Sequence, residues 1–140
     1  MSKKSATIAA LIANSQGREL DAHYLCYFEC FNRGLYYEAH DVLEELWLPN
    51  RNGSNGPFFK GLIQFAGAFV HLQKGRLQPA AALLRLAQGN LQNYPAIHER
   101  LAVNDVLALI GRCLQRLETN CSTPNPLSAE TAPRLNLLDR

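Results

Sequence analysis

Two neighbouring stretches decide the fold of this chain: NRGLYYEAHDVLEELW, residues 32–47, and FFKGLIQFAGAFVHL, residues 58–72. In the first stretch apolar side chains recur every three or four residues, which is the spacing of one helical face. The second stretch is apolar in nearly every direction, which is typical of a helix covered by its neighbours. Residues 49–56, PNRNGSNG, are dense in turn-forming residues. The sequence therefore predicts two helices joined by a loop.

The same helical spacing continues on both sides of this pair. Helices are predicted at about residues 19–33, 35–48, 57–74, 77–93 and 97–118. Gly34 suits the end of the first helix and Pro57 the beginning of the third. No segment shows sustained alternation with a period of two, so we expect no sheet. Short connections favour antiparallel neighbours, and the predicted fold is an all-α, single-domain bundle of about five helices.

Length and composition favour one domain with its own core. The chain has 140 residues, of which 47% are hydrophobic and 19% are charged. Residues 19–118 are predicted to form the bundle, preceded by an N-terminal segment over 1–18. Residues 119–140 form a proline-rich tail that has no core of its own. The apolar end of this tail could dock onto the body or fray.

Charge and cysteine spacing limit the partners and the compartment. A formal net charge of +2 is too small to predict a nucleic-acid partner. No apolar run approaches the roughly 20 residues of a membrane span, so we expect no membrane partner. The four cysteines form no CxxC pair, which favours buried thiols in a reducing, cytoplasmic compartment. Leu35 and Leu48 are candidates for exposed apolar surface and weakly favour a homodimer.

Polar side chains lie where the two central helices are expected to meet. On the helix over 35–48, His40 lies at the edge of the apolar face and Glu44 lies one turn on. On the helix over 57–74, one polar stripe holds Lys60, Gln64 and His71. If these helices pack antiparallel, His71 comes level with the turn that carries His40. Gln64 then faces the turn that begins at Glu44.

Three interpretations of this polar cluster stay open. His40, Glu44 and His71 could supply three ligands to a divalent metal ion and leave a position for water or substrate. The cluster could instead bind a small polar ligand, or a His–Glu pair could act as a general base. Hydrolytic chemistry is open, but no nucleophile can be assigned from spacing. The same polar residues could instead form a purely structural hydrogen-bonded network that fixes helix register, because buried polar groups need partners.

A repeated turn supports a different, non-enzymatic class of protein. GLYYEA begins at Gly34 and GRLQPA begins at Gly75, and both have glycine first and alanine sixth. Each precedes a leucine-rich helix. Repeated helical hairpins often bind protein partners. Tetratricopeptide-type repeats use a similar turn, but their period is 34 residues rather than the 41 found here. The alternative function is therefore an interaction or scaffold module in which the cluster only fixes register.

The motifs FNxGxYYEAHDVLExxW (residues 31–47), KGLIQ (60–64) and AxxxHxxKG (68–75) together resemble the family of the domain of unknown function 309. The resemblance covers about residues 24–93. It implies a small all-helical bundle in a soluble prokaryotic protein, and it implies no activity. The motif includes Glu38, which the helical wheel alone would place in solvent. The candidate site residues are Glu38, His40, Glu44, Trp47, Lys60, Gln64 and His71.

Overall fold

A computed structural model describes residues 20–119, 124–128 and 131–138. The described residues contain five α-helices and one pair of short strands. In chain order these are α1 (Ala22–Asn32), α2 (Tyr36–Asn50), α3 (Gly56–Gln73), α4 (Leu77–Leu91), β1 (Ile97–His98), β2 (Leu101–Ala102) and α5 (Val103–Glu118). The first four helices begin and end within a few residues of the predicted positions. The predicted N-terminal segment over 1–18 lies outside the described residues.

The prediction of a bundle without a sheet is wrong. Strands β1 and β2 pair antiparallel across a two-residue turn made by Glu99 and Arg100. These residues have φ angles of 49° and 60°, which is the left-handed conformation required in a tight hairpin turn of type I′. Two-residue strands are too short to show alternation, and the turn lacks the usual Asn-Gly signal. The hairpin occupies the first turns of the predicted fifth helix, so α5 begins only at Val103.

The turns that follow α1 and α3 have the same construction. Gly34 and Gly75 have φ angles of 76° and 71°, a conformation that costs glycine little. In each turn the amide after the glycine donates to the carbonyl five residues back, at 2.9 Å. This pattern is the Schellman ending of a helix. Ala39 and Ala80, the sixth residue of each repeated segment, are fully buried, so each turn leads into close helix packing.

The core is aromatic where α1, α2 and α3 meet. The ring of Phe31 stacks on Phe65 with ring centroids 5.3 Å apart. Tyr36 and Phe69 approach the same ring edge-on, at 4.9 and 5.4 Å. All four side chains are buried. Offset and edge-on aromatic pairs add stability beyond burial alone, so this cluster fixes how α2 lies against α3.

The described part of the C-terminal tail lies against the bundle. The carboxamide of Asn32 accepts from the amide of Leu135 at 2.7 Å and donates to its carbonyl at 2.8 Å. The Leu135 side chain is buried. Further along, the amide of Leu138 donates to the carbonyl of Arg100 at 2.7 Å. The tail therefore packs on the end of α1 and on the hairpin.

A helix that crosses a bilayer must be about 20 residues long and predominantly apolar. None of the described helices is long and apolar enough to cross a membrane.

Candidate functional site: a groove over α3

Helix α3 presents one polar and small-residue stripe toward its two neighbours. Lys60, Gln64, Gly67 and His71 follow one another at steps of four, three and four residues, which places them on one face. A β-carbon at Gly67 would lie 3.3 Å from Leu83 Cδ1 on α4 and 3.7 Å from His40 Cδ2 on α2. The stripe is half-buried and therefore lies along the line where α2 and α4 flank α3. We call this the α3 groove.

Two contacts define how α2 runs along this groove. The Nζ of Lys60 lies 4.3 Å from the ring centroid of Trp47, a cation–π contact. Gly67, which is seven residues after Lys60 on α3, faces His40, which is seven residues before Trp47 on α2. The helices are therefore antiparallel, as expected from the sequence. On this register His71 lies level with Tyr36, at the far end of the turn that carries His40.

Gln64 takes its partner from α4 rather than from α2. Its Oε1 accepts a hydrogen bond from Asn90 Nδ2 at 2.8 Å. The predicted neighbour of Gln64 was the turn that begins at Glu44. Asn90 was not among the predicted site residues, because its position on α4 gives no sign of which way it points. This hydrogen bond ties the middle of α3 to the end of α4.

His40 pairs with the carboxylate of Asp41, which was not among the candidate site residues. Its Nδ1 lies 3.2 Å from Asp41 Oδ1, and the Asp41 side chain is only 12% exposed. The His40 side chain is 31% exposed, and its ring lies parallel to Tyr37 with centroids 6.5 Å apart. Tyr37 itself is 59% exposed. The motif that carries the family resemblance includes Asp41, and that was the available signal for this residue.

His71 differs from the other polar residues of the stripe. It is half-buried, and its Nδ1 is enclosed with no hydrogen-bond partner among the described residues. An enclosed nitrogen without a partner costs about 1–3 kcal/mol relative to one that is hydrogen-bonded. Lys60, Gln64 and His40 each have a partner within the chain. Among the described residues, the ring nitrogen of His71 is therefore an enclosed polar atom of the stripe that lacks a hydrogen bond.

The structure does not bring the three predicted metal ligands together. Within the described ranges no group of three or more His, Cys, Asp and Glu side chains could hold a metal ion. The register explains this result. His71 lies level with Tyr36, and Glu44 lies two turns further along α2, or about 12 Å along the axis. Ligands to zinc must all lie about 2 Å from the ion, so this separation argues against a site made by His40, Glu44 and His71 together.

Glu38 faces the neighbouring helix α1 more than the groove. It is half-buried, and its charge adds to the causes that raise the pKa of the Cys30 thiol. The first of these causes is the hydrogen bond with Cys26, whose Sγ lies 3.8 Å from that of Cys30, and burial is the second. Both cysteines are buried in the core and are not joined by a disulfide. Glu38 therefore belongs to the packing of α1 against α2.

The comparisons with known proteins concern the part of the chain that builds this groove. No curated protein and no solved structure matches the chain significantly. One family model matches, over residues 24–83, and its description is Domain of unknown function (DUF309). The matched range includes the whole stripe on α3 and the facing residues of α2. It excludes Asn90, the hairpin, α5 and the tail. Over residues 24–83, this chain resembles the DUF309 family.

Proposed function

We propose that this chain is a small helical binding protein and that the α3 groove holds a small polar ligand. The observation that carries the proposal is the Nδ1 of His71, which is enclosed and lacks a partner among the described residues. A ligand that donates to or accepts from this nitrogen would remove the cost of leaving it unpaired. The half-exposed ring of His40 and the exposed ring of Tyr37 supply a wall against which such a ligand can lie.

The ligand is an organic molecule rather than a metal ion in this proposal. The separation of His40, Glu44 and His71 along the helices argues against three-ligand coordination. Hydrogen bonding at one ring nitrogen and contact with an aromatic wall are instead the features of a site for a small polar molecule. Lys60 lies at the other end of the stripe and is held by Trp47, so it contributes less to the proposed site.

A scaffold role is the second candidate, and the Gln64–Asn90 hydrogen bond favours it. The cation–π contact of Lys60 with Trp47 also lies wholly within the chain. Such internal pairs fix helix register without any ligand. In a scaffold of this kind the polar stripe would contribute to stability alone, and the protein would recognise its partner through another surface.

The cellular setting is also a proposal. The described cysteines Cys26, Cys30 and Cys113 form no disulfide with one another, which supports a reducing, cytoplasmic compartment. A prokaryotic origin is likewise proposed, on the resemblance noted from the sequence motifs alone. A homodimer and the lack of a nucleic-acid partner stay predictions from the sequence, although Leu48 is indeed exposed.

Urea unfolding of His71→Leu and Gln64→Leu tests the two candidates. Each protein is measured as purified and again after unfolding, dialysis and refolding, which removes a bound small molecule. A ligand that binds only the folded state raises the free energy of unfolding. The free energy of unfolding of the refolded wild type should therefore be lower than that of the purified wild type by at least about 1 kcal/mol. A difference of this size corresponds to a site that is mostly occupied in the purified protein.

The variants should respond differently. His71→Leu should show no difference between the two preparations and should be at least as stable as the refolded wild type, because leucine removes a nitrogen that had no partner among the described residues. Gln64→Leu leaves Asn90 without its partner and should be less stable by about 1–2 kcal/mol in both preparations, while it keeps the difference between them. Identical unfolding of the two wild-type preparations would contradict the ligand proposal and leave the scaffold.

A further inference from the structure

The end of the C-terminal tail lies on the bundle as an extended segment. Pro133 and Leu137 are half-buried and Leu135 is buried, whereas Arg134 and Asn136 between them are exposed. Successive side chains of an extended chain point to opposite sides, so this alternation is the pattern of a single strand laid on a surface. Leu135 belongs to the buried core, and Leu137 packs against it. The tail therefore presents every second side chain to the bundle.

Two clamps hold the backbone of this segment. The carboxamide of Asn32, at the end of α1, accepts from the amide of Leu135 at 2.7 Å and donates to its carbonyl at 2.8 Å. In the hairpin, the carbonyl of Arg100 accepts from the amide of Leu138, and the Nε of Arg100 donates to the carbonyl of Leu138, both at 2.7 Å. Each clamp thus binds both backbone polar groups of one residue, as a neighbouring strand would. We call the surface made by Asn32, Arg100 and the core beneath Leu135 the tail site.

The spacing of the two clamps suits an extended chain. The clamped residues are three positions apart, and three residues of extended chain span about 10 Å. The hairpin is held near the beginning of α1, where the hydroxyl of Tyr24 donates to the carbonyl of Glu99 at 2.9 Å. From Tyr24 to Asn32 the axis of α1 rises about 12 Å, so the segment runs along this helix. Three residues of a helix rise only about 4.5 Å and would not reach both clamps.

We propose that the tail site docks an extended segment of a partner protein with the pattern Pro-x-Leu-x-Leu, and that the tail of this chain blocks the site in the free protein. The clamps bind backbone groups, which every peptide has, so they supply affinity without selecting a sequence. Selectivity comes from the alternate side chains that face the bundle, above all from the one at the position of Leu135.

The tail suits the role of a displaceable occupant. Its described residues from 132 to 138 form no helix or strand, so they can leave the surface while the five helices stay folded. Because the tail is tethered to the bundle, it holds the site at a high effective concentration. A partner segment must therefore bind more tightly than the tail does, or the tail must first be drawn away.

Calorimetric titration of the full chain with the end-blocked peptide TAPRLNLL, which reproduces residues 131–138, tests the proposal. Leu135→Ser weakens the docked tail and leaves the surface beneath it unchanged, so this variant should bind the peptide about 10- to 100-fold more tightly than the wild type, the factor that corresponds to burial of one leucine. Leu138→Ser is the matched control and should bind the peptide as the wild type does, because that side chain is exposed. No saturable binding to Leu135→Ser would overturn the site, and equal affinity of Leu135→Ser and the wild type would overturn the blocking by the tail.

Two further changes locate the binding. The described side-chain hydrogen bonds of Asn32 both go to Leu135, so Asn32→Ala removes one clamp and should keep the fold, which an amide NMR spectrum checks. Combined with Leu135→Ser, it should weaken peptide binding about tenfold, as expected for two lost hydrogen bonds. The same peptide with Leu135→Ser should bind the Leu135→Ser chain about 10- to 100-fold more weakly than TAPRLNLL does. Unchanged affinity in either comparison would place the peptide elsewhere and overturn the tail site.

Amide hydrogen exchange of the wild type tests displacement of the tail without any variant. The amides of Leu135 and Leu138 are held by the clamps, and they should exchange at least about tenfold faster than the amide of Phe65 in the core of α3, because the tail opens without global unfolding. Exchange of the tail amides as slow as that of Phe65 would mean that the tail leaves only when the bundle unfolds, and the proposal would be overturned.

A second copy of this chain carries the same segment and is the competing occupant. Exchange of tails between two copies would form a dimer that depends on Leu135. Native mass spectrometry should show the same oligomeric state for the wild type and for Leu135→Ser. A wild-type dimer that Leu135→Ser abolishes would assign the site to the tail of a second copy and would overturn the assignment to a partner protein.

Discussion

Replacing Gly61 by alanine tests how closely α3 and α4 approach one another beneath the α3 groove. A β-carbon at this position would lie 2.8 Å from Leu91 Cγ, 3.0 Å from Leu91 Cδ2 and 3.2 Å from Asn90 Cβ. Leu91 is fully buried, so its side chain has little room to move aside. The two helices must therefore separate or Leu91 must leave its rotamer. Because Asn90 also bonds Gln64, separation would stretch the hydrogen bond that joins the stripe to α4.

Two opposing effects set the size of the change. Overpacking a well-packed core costs about 1–3 kcal/mol. Alanine in place of glycine within a helix raises the free energy of unfolding by about 0.5–1 kcal/mol. Gly61→Ala should therefore lower the free energy of unfolding by about 0.5–2 kcal/mol, measured from urea unfolding curves.

Gly89→Ala is the matched control on α4. A β-carbon there would meet nothing within 4 Å, so only the helix-forming effect remains. This variant should be more stable than the wild type by about 0.5–1 kcal/mol. If Gly61→Ala proved as stable as Gly89→Ala, the close approach of α3 and α4 described above would be incorrect.

Three further predictions concern the turns and the core. Gly75→Ala should lower the free energy of unfolding by about 1–2 kcal/mol, because alanine is strained at a φ of 71°. A β-carbon at this position has open space, so the strain is in the backbone alone. An unchanged midpoint of urea unfolding would refute this prediction. Burial raises the pKa of Tyr27, so above pH 10 the unfolded state loses a proton that the folded state keeps, and stability should fall as the pH rises. Tyr27→Phe should make this fall shallower by about 1 kcal/mol between pH 10 and 11 in unfolding curves, because an unfolded tyrosine is only half ionised at pH 10. An unaltered slope would be the contrary result. Asn55→Ala should lower the free energy of unfolding by about 1–3 kcal/mol and speed amide hydrogen exchange in the hairpin. The reason is that the Asn55 side chain forms hydrogen bonds of 2.7 Å with both His98 and Glu99. Amide protection equal to that of the wild type would contradict this role.

Helix positions could be predicted from this sequence because their signals are local. The turns at Gly34 and Gly75 require a residue that tolerates positive φ, and glycine marks them in the sequence. The polar stripe on α3 could be predicted for the same reason, since positions 60, 64 and 71 share a face by helical geometry alone.

The hairpin could not be predicted because its stabilising contacts are distant in sequence. The left-handed conformation of Glu99 and Arg100 is supported by partners from other elements. Tyr24 donates its hydroxyl to the carbonyl of Glu99 at 2.9 Å, and Asn55 donates to its side chain. The Nε of Arg100 donates to the carbonyl of Leu138 at 2.7 Å. None of these partners lies within 30 residues of the turn. The local pattern therefore favoured a helix that begins at about residue 97 instead of a hairpin.

The partners of the candidate site were also set by tertiary packing. A helical wheel placed His40 and Glu44 near the core, and the antiparallel register of α2 and α3 was expected from the sequence, but the side-chain partners were not. That register is fixed by the contact of Lys60 with Trp47 and by the space at Gly67. It separates His71 from Glu44, which is why the predicted metal group does not form among the described residues.

Native mass spectrometry of the chain, purified without chelator, tests the central claim most directly. The claim is that the unpaired Nδ1 of His71 marks a site for a small polar ligand. The account predicts one organic adduct per wild-type chain, lost in His71→Leu and kept in Gln64→Leu. A wild-type mass without any adduct, or an adduct that persists in His71→Leu, would contradict it.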